Sequence, residues 1–171
     1  MVKDFFIKNM VCDRCIKVLE DGLNNHNIEL LQIELGRMRL DIKSDKEIEI
    51  LKILLESNGF FLIGSAEEEL TEQVKLELIK ALQKLPLELN EKLSVYLADA
   101  LGKDYSKISK VFSCTEGITI EKYFIKLKIE KVKELVQANE LNFTEIGQLL
   151  GYSHINHLSG QFKNETGMCL T

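Results

Sequence analysis

Apolar side chains change their period several times along the chain, and each change marks a new element. Residues 2–8, VKDFFIK, alternate loosely and are rich in Phe and Ile, which predicts a strand. The segment MVCDRC at 10–15 interrupts it as a loop. From Cys15 onward, Val18, Leu19 and Leu23 keep helical spacing until the turn chemistry of Asn24, Asn25, His26 and Asn27. Strands over 28–35 and 37–43 flank Gly36. In the second, Met38, Leu40 and Ile42 alternate with Arg37, Arg39, Asp41 and Lys43, so one face of this hairpin is wet. Ser44 or Asp45 is placed to cap a helix running to Ser57, Gly59 ends it, and 60–63 make a last short strand. The predicted order over the first 65 residues is βαββαβ.

The pattern then becomes helical for good. Residues 66–85 carry an apolar stripe of Leu70, Val74, Leu78, Ala81 or Leu82, and Leu85, behind an acidic start at Glu67, Glu68 and Glu69 that suits a helix N-terminus. Pro86 breaks it. Such a stripe predicts packing on a neighbouring domain, with a homodimer seam as the alternative.

Residues 145–167 read as two short helices around a tight turn: Ile146, Leu149 and Leu150 on the first, Gly151 to end it, Ser153 to cap the next. On the second, Ile155, Leu158 and Phe162 face inward and leave His154, Asn156, His157, Ser159, Gly160, Gln161 and Lys163 outside. The same arrangement occurs earlier, over 93–117. Leu101-Gly102 corresponds to Leu150-Gly151, Ser109 to Ser159, Phe112 to Phe162 and Gly117 to Gly167, at an offset of 49 and then 50 residues. Two unrelated helix pairs would seldom place turn, serine, aromatic and cap alike. Between the copies, residues 120–138 form one long helix with two apolar stripes, Phe124, Leu127 and Leu135 on one and Ile125, Ile129, Val132 and Val136 on the other, as a helix buried against two small bundles needs.

The stretch LLGYSHINHLSGQFKNETGM, with its order LGYS, S-x-x-FK and TGM, resembles the second helix-turn-helix of AraC/XylS-type transcription regulators. The 120–138 helix, with its run KLKIEKVKELV, is similar to the connecting helix of that domain. The resemblance implies binding to double-stranded DNA. It puts Ser106, Lys107, Ser109 and Lys110 on the first reading helix, His154, Asn156 and His157 with Ile155 on the second, and Lys163 on phosphate. Gly160 stands where the family frequently has an arginine. Family members continue past TGM with a further helix, so the end at Thr171 predicts that this helix is missing.

Charge complicates the picture. The chain is 45% hydrophobic and 29% charged, a globular composition, with a net charge of -5. Residues 1–102 hold 13 basic and 19 acidic side chains, a net of -6, and residues 103–171 hold 9 and 8, a net of +1. Phosphate neutralisation supplies much of the affinity for nucleic acid, so +1 predicts modest, strongly salt-sensitive binding. No apolar run approaches the roughly 18 residues of a spanning helix and MVKDFF lacks the apolar core of a signal peptide, which together with unframed cysteines predicts a cytoplasmic protein without a membrane partner.

Two of the four cysteines, Cys12 and Cys15, lie three apart at a loop-to-helix junction, where both sulfurs can converge on one soft cation and the helix N-terminus favours the thiolate. A redox disulfide is the alternative. Copper(I), silver or mercury is satisfied by two sulfurs, whereas zinc usually takes four ligands, with Asp13 or a second chain as the only additional source in sight. Met10 is read as an anchor in the core. The βαββαβ order, with Met10, Cys12 and Cys15 as M-x-C-x-x-C and NGFFL before the last strand, resembles the heavy-metal-associated domain of copper chaperones and metal-transporting ATPases. Asn9 and Val11 stand where that family has Gly and Thr or Ser, and Phe60 stands at its aromatic position. Cys114 and Cys169 are read as small buried hydrophobes without a role, His26 as a solvated turn residue.

The expected fold is α+β: a ferredoxin-like βαββαβ domain over 1–65, a linker helix over 66–86, and an all-α tandem helix-turn-helix domain over 87–171. The chain carries no phosphate loop, nucleophile elbow or histidine-carboxylate metal motif, so an enzyme is not expected. The expected function is a transcription regulator whose DNA binding responds to a soft metal ion at Cys12 and Cys15, copper(I) first. The alternative is a metal-trafficking protein with a degenerate helix-turn-helix used for protein contacts.

Overall fold

In the computed structural model, strands β1 (Val2–Lys8), β2 (Glu29–Glu34), β3 (Arg37–Asp41) and β4 (Phe61–Leu62) form an antiparallel sheet in the order β2-β3-β1-β4. The structure describes residues 1–89 and 91–170, so Thr171, the predicted end of the second domain, lies outside the described residues. Helices α1 (Asp13–Asn25) and α2 (Asp45–Ser57) complete the order βαββαβ. Alternate strand positions meet these helices: Ile7, Met38 and Leu40 are fully buried with Leu19 and Leu23 of α1 and Leu51 and Leu55 of α2. Each such side chain contributes about 1.5–3 kcal/mol. The other strand positions carry Asp4, whose carboxylate accepts from Arg37 and from Arg39 at 3.0–3.3 Å. Arg39 foremost holds that carboxyl below the usual carboxylate range.

Three elements differ from expectation in their bounds or pairing, and a fourth in how its start is capped. Helix α1 starts at Asp13, with Cys12 as its N-cap. Strand β4 is short because the Phe60 N–H still closes α2 by donating to the Leu55 carbonyl at 2.9 Å, which puts the Phe60 ring in the core rather than in the strand. A register shift between Leu30 and Gln32 breaks β2 and leaves Leu31 exposed. Ser44 is the N-cap of α2 but its hydroxyl makes no capping bond, and Glu47 instead accepts from the Lys43 N–H at 2.8 Å.

Helix α3 (Ala66–Gln83) follows, and the helical remainder is α4 (Leu93–Leu101), α5 (Tyr105–Glu116), α6 (Ile120–Ala138), α7 (Phe143–Leu149) and α8 (Ile155–Thr166). Two compact units result, Met1–Leu76 and Glu77–Thr171, and their division falls inside α3. On α3, Leu70, Val74, Leu78 and Leu82 are at most 6% exposed, so the apolar stripe is occupied within the chain. Thr71, Glu72 and Lys75 are buried as well. In the first unit Gly36, at φ +79°, lets the β2–β3 turn pass under α3, since a Cβ there would lie 2.7 Å from a Leu76 methyl. In the second, α6 packs on α5, α7 and α8. Among the described residues no helix is long and apolar enough to cross a membrane.

Candidate functional site

The first site is the cysteine loop between β1 and α1. Asn9 leaves the strand at φ +71°, the left-handed region that favours glycine and that asparagine also tolerates. That is the backbone reason asparagine can stand here. Its side-chain amide donates to the Gly59 carbonyl at 3.1 Å and so ties the loop to the segment before Phe60. Met10 is 1% exposed and belongs to the core, which holds the loop from beneath. Cys12 and Cys15 are half-buried, unbonded thiols with their Sγ atoms 3.2 Å apart, well beyond the roughly 2.05 Å of a disulfide. The Cys15 N–H donates to the Cys12 carbonyl at 2.9 Å, closing the first turn of α1.

The Cys15 thiol hydrogen bond foremost, then the backbone N–H groups of Cys15 and Arg14, lower the Cys12 pKa from that of an ordinary thiol. The loop thus offers two convergent soft donors, one of them with its pKa lowered. This donor set fits a soft, low-coordinate ion and falls short of the four ligands zinc usually takes. Among the described residues no group of three or more His, Cys, Asp or Glu side chains could hold a metal.

The second site is the surface of the duplicated helix pairs. In the first pair Gly102 ends α4 at φ +60°, and Asp104 caps α5, its carboxylate accepting the Ser106 N–H at 2.8 Å. Ile108 and Phe112 are fully buried, which turns Ser106, Lys107 and Lys110 to solvent and leaves Ser109 half-buried. The Phe112 ring meets Tyr123 of α6 edge-on at 5.4 Å. Tyr105 donates to the Glu121 carboxylate at 2.7 Å. Burial first, then that carboxylate, pushes the Tyr105 phenol up to about 12, and the same bond lowers the Glu121 pKa.

The second pair repeats the frame with different fittings. A capping box between Asn142 and Glu145 starts α7, and Gly151 turns at φ +76°. Leu158 and Phe162 are buried, and Asn156, His157 and Lys163 are exposed. Several expectations need correction. The N-cap of α8 is His154, not Ser153, and it makes no side-chain capping bond, so His154 stands exposed at the mouth of the helix. Gln161 is half-buried because its carbonyl accepts from the Tyr152 hydroxyl at 2.6 Å. Ile155 is 36% exposed rather than inward, and Ser159 is half-buried rather than outside. Cys114 and Cys169, expected to be buried, are exposed.

One contributor has no signature in the sequence. Lys128 of α6 places its ammonium 4.9 Å from the ring centres of both Phe124 and Tyr152, and burial lowers its pKa below that of an ordinary lysine. It clamps α6 to the α7–α8 turn through cation–π contacts. Nothing in the spacing of α6 distinguishes it from the exposed lysines nearby.

Residues 97–171 match the family model described as "Helix-turn-helix domain". No curated protein matches the chain. Two solved structures are similar in part. One is the C-terminal domain of the two-component response regulator yesN from Fusobacterium nucleatum subsp. nucleatum ATCC 25586, at 21% identity over 57% of this chain and 95% of that one, with a TM-score of 0.48. The other is a transcriptional regulator of the AraC-type DNA-binding domain-containing proteins from Chromobacterium violaceum, at 18% identity over 58% of this chain and 87% of that one, with a TM-score of 0.49. The segment that matches the helix-turn-helix model runs from the middle of α4 through α8 and takes in α5 and α8, the second helix of each pair.

Proposed function

We propose that this chain is an AraC-type transcription regulator whose binding to double-stranded DNA responds to a soft metal ion, copper(I) first, held by Cys12 and Cys15. The observation that carries it is the presence, in one chain, of two sulfurs 3.2 Å apart and a duplicated helix-turn-helix surface. The sheet order β2-β3-β1-β4 and the cysteine loop at the β1–α1 junction support the heavy-metal-associated, ferredoxin-like reading of the first unit. A soft ion would be held by Cys12 and Cys15, where its positive charge would favour the thiolate form of both side chains. Cys12 provides the sulfur whose pKa is lowered, Cys15 the second, Met10 the buried anchor beneath them. On the DNA side, Ser106, Lys107, Ser109 and Lys110 of α5 and Asn156 and His157 of α8 face base edges and backbone, with Lys163 on phosphate.

The test begins with selection of a binding site from random duplexes, followed by DNA titrations with and without copper(I) under reducing conditions. In the wild type the ion changes the DNA Kd by about 5–150-fold, the usual span of a linked pair of sites. In Cys12→Ser/Cys15→Ser it changes nothing. An unchanged wild-type Kd across saturation would remove the metal response and leave a plain DNA-binding protein. One observation favours the metal-trafficking alternative: α8 carries a single lysine, and its outer face opens at Gly160. Failure to select any duplex, with copper(I) still bound, would remove the DNA-binding reading and favour that alternative.

A further inference from the structure

Glu72 and Lys75 lie on α3 at 6% and 8% exposure, as an ion pair of 2.9 Å. Burying two charges costs more than a surface pair returns, so such a pair contributes little to stability for its own sake. Its second contact is informative. The other Glu72 oxygen, Oε2, lies 3.4 Å from the backbone N–H of Asn9, the residue that opens the cysteine loop. This is longer than the 2.7–3.2 Å of a well-made N–H···O bond, so it has room to tighten or part when the loop shifts. Met10, the next residue, is held in the core, and Asn9 beside it is the point at which this loop meets α3.

From Glu72 the path is continuous. Leu76, one turn on, covers Gly36, and α3 runs without a break to Gln83. One residue beyond Leu76, Glu77 meets the first helix of the helix-turn-helix domain: the Tyr96 hydroxyl of α4 lies 3.4 Å from both the Glu77 carbonyl and its carboxylate. Each contact is internal to one of the two units, and the covalent run of α3 joins them.

We propose that Glu72 is the positioning residue that couples the cysteine loop to α3, so that occupation of Cys12 and Cys15 is read by the helix leading into α4. This rests on the metal-responsive reading above and names its transmitting contact. The experiment measures the DNA Kd with and without copper(I), and the copper(I) affinity with and without DNA, for wild type, Glu72→Gln, Glu72→Gln/Lys75→Gln and the exposed control Glu67→Gln. The double variant removes both charges of the buried pair together, so that the coupling is still read if Glu72→Gln alone fails to fold. Coupling free energy is reciprocal, so the two ratios must agree in each protein.

The expected result is that both Glu72 variants still bind copper(I) and DNA, while both ratios fall to within about twofold of unity; Glu67→Gln keeps the wild-type ratio. A purely structural role would weaken both binding reactions together and leave the ratios alone. Wild-type ratios in the folded double variant would overturn the role of Glu72 and spare the metal response. Ratios of unity in the wild type would overturn the metal response itself, and this coupling with it.

Discussion

The two helix pairs of the second unit share a frame and differ in what they hang on it. Gly102 and Gly151 turn alike, Phe112 and Phe162 anchor alike, and Gly117 and Gly167 end their helices at φ +70° and +73°. The solvent faces part company. Helix α5 and its approach carry Lys103, Lys107 and Lys110 behind a carboxylate cap, whereas α8 carries Lys163, Asn156 and His157, an uncapped His154 and a bare Gly160. Packing fixed the buried positions of both copies, and the outer positions were free to diverge. Under the proposed DNA-binding reading, the first copy would hold phosphate and the second would read base edges.

The largest effect tests the shared frame. Phe112→Ala empties a fully buried site and is expected to cost about 3–5 kcal/mol, with Phe162→Ala, 8% exposed, at the lower end of that span. Thermal melting of both checks this, and equal, small losses would mean the anchors are not equivalent to core residues. Next comes the divergence. Lys107→Ala/Lys110→Ala should weaken all duplexes alike and lower the log–log salt slope by about 0.9 for each phosphate no longer neutralised, while Asn156→Ala should instead relax sequence preference by about 1–3 kcal/mol. A salt slope unchanged by the lysine pair would reverse the assignment of roles.

Gly160 sharpens the contrast, because a Cβ there meets nothing within 4 Å. Gly160→Ala should stabilise the domain by about 0.5–1 kcal/mol, as expected of a helix interior, and Gly160→Arg should in addition tighten DNA binding and steepen its salt dependence. Tighter binding absent in the arginine variant would place this turn of α8 away from the duplex. The smallest effect is alkaline. The phenols of Tyr105 and Tyr152 are pushed up to about 12 against about 10 when unfolded, Tyr152 by burial alone. A raised pKa stabilises below the unfolded value and that stability is lost as pH climbs through the folded one, so the melting temperature should fall between about pH 10 and 12. Tyr105→Phe and Tyr152→Phe should each flatten that fall in their own copy.

Much of this was legible in the chain itself. Alternation in 37–43 marked the wet and dry faces of β3, the 49–50-residue repeat marked the paired helices, and the M-x-C-x-x-C spacing singled out the two sulfurs. These are local properties: strand period, helix period and the backbone demands of a turn act between residues a few positions apart. Cap and exposure assignments went astray where a tertiary partner or a competing backbone bond intervened. Gln161 has the spacing of an outward polar residue, yet Tyr152 holds it, and Phe60 left its strand because the Leu55 carbonyl claimed its N–H.

What the sequence alone determined is the order of elements, the duplicated frame and the two chemistries, thiol and basic-polar, at their separate ends. What only the tertiary structure decided is which polar groups are withdrawn from water: Glu72 against Asn9 and Lys75, Lys128 between two rings, Tyr105 on Glu121. No periodicity announces such groups. A charged side chain has the same local spacing whether it points to solvent or to a partner 63 residues away, and only the packed chain brings that partner within reach.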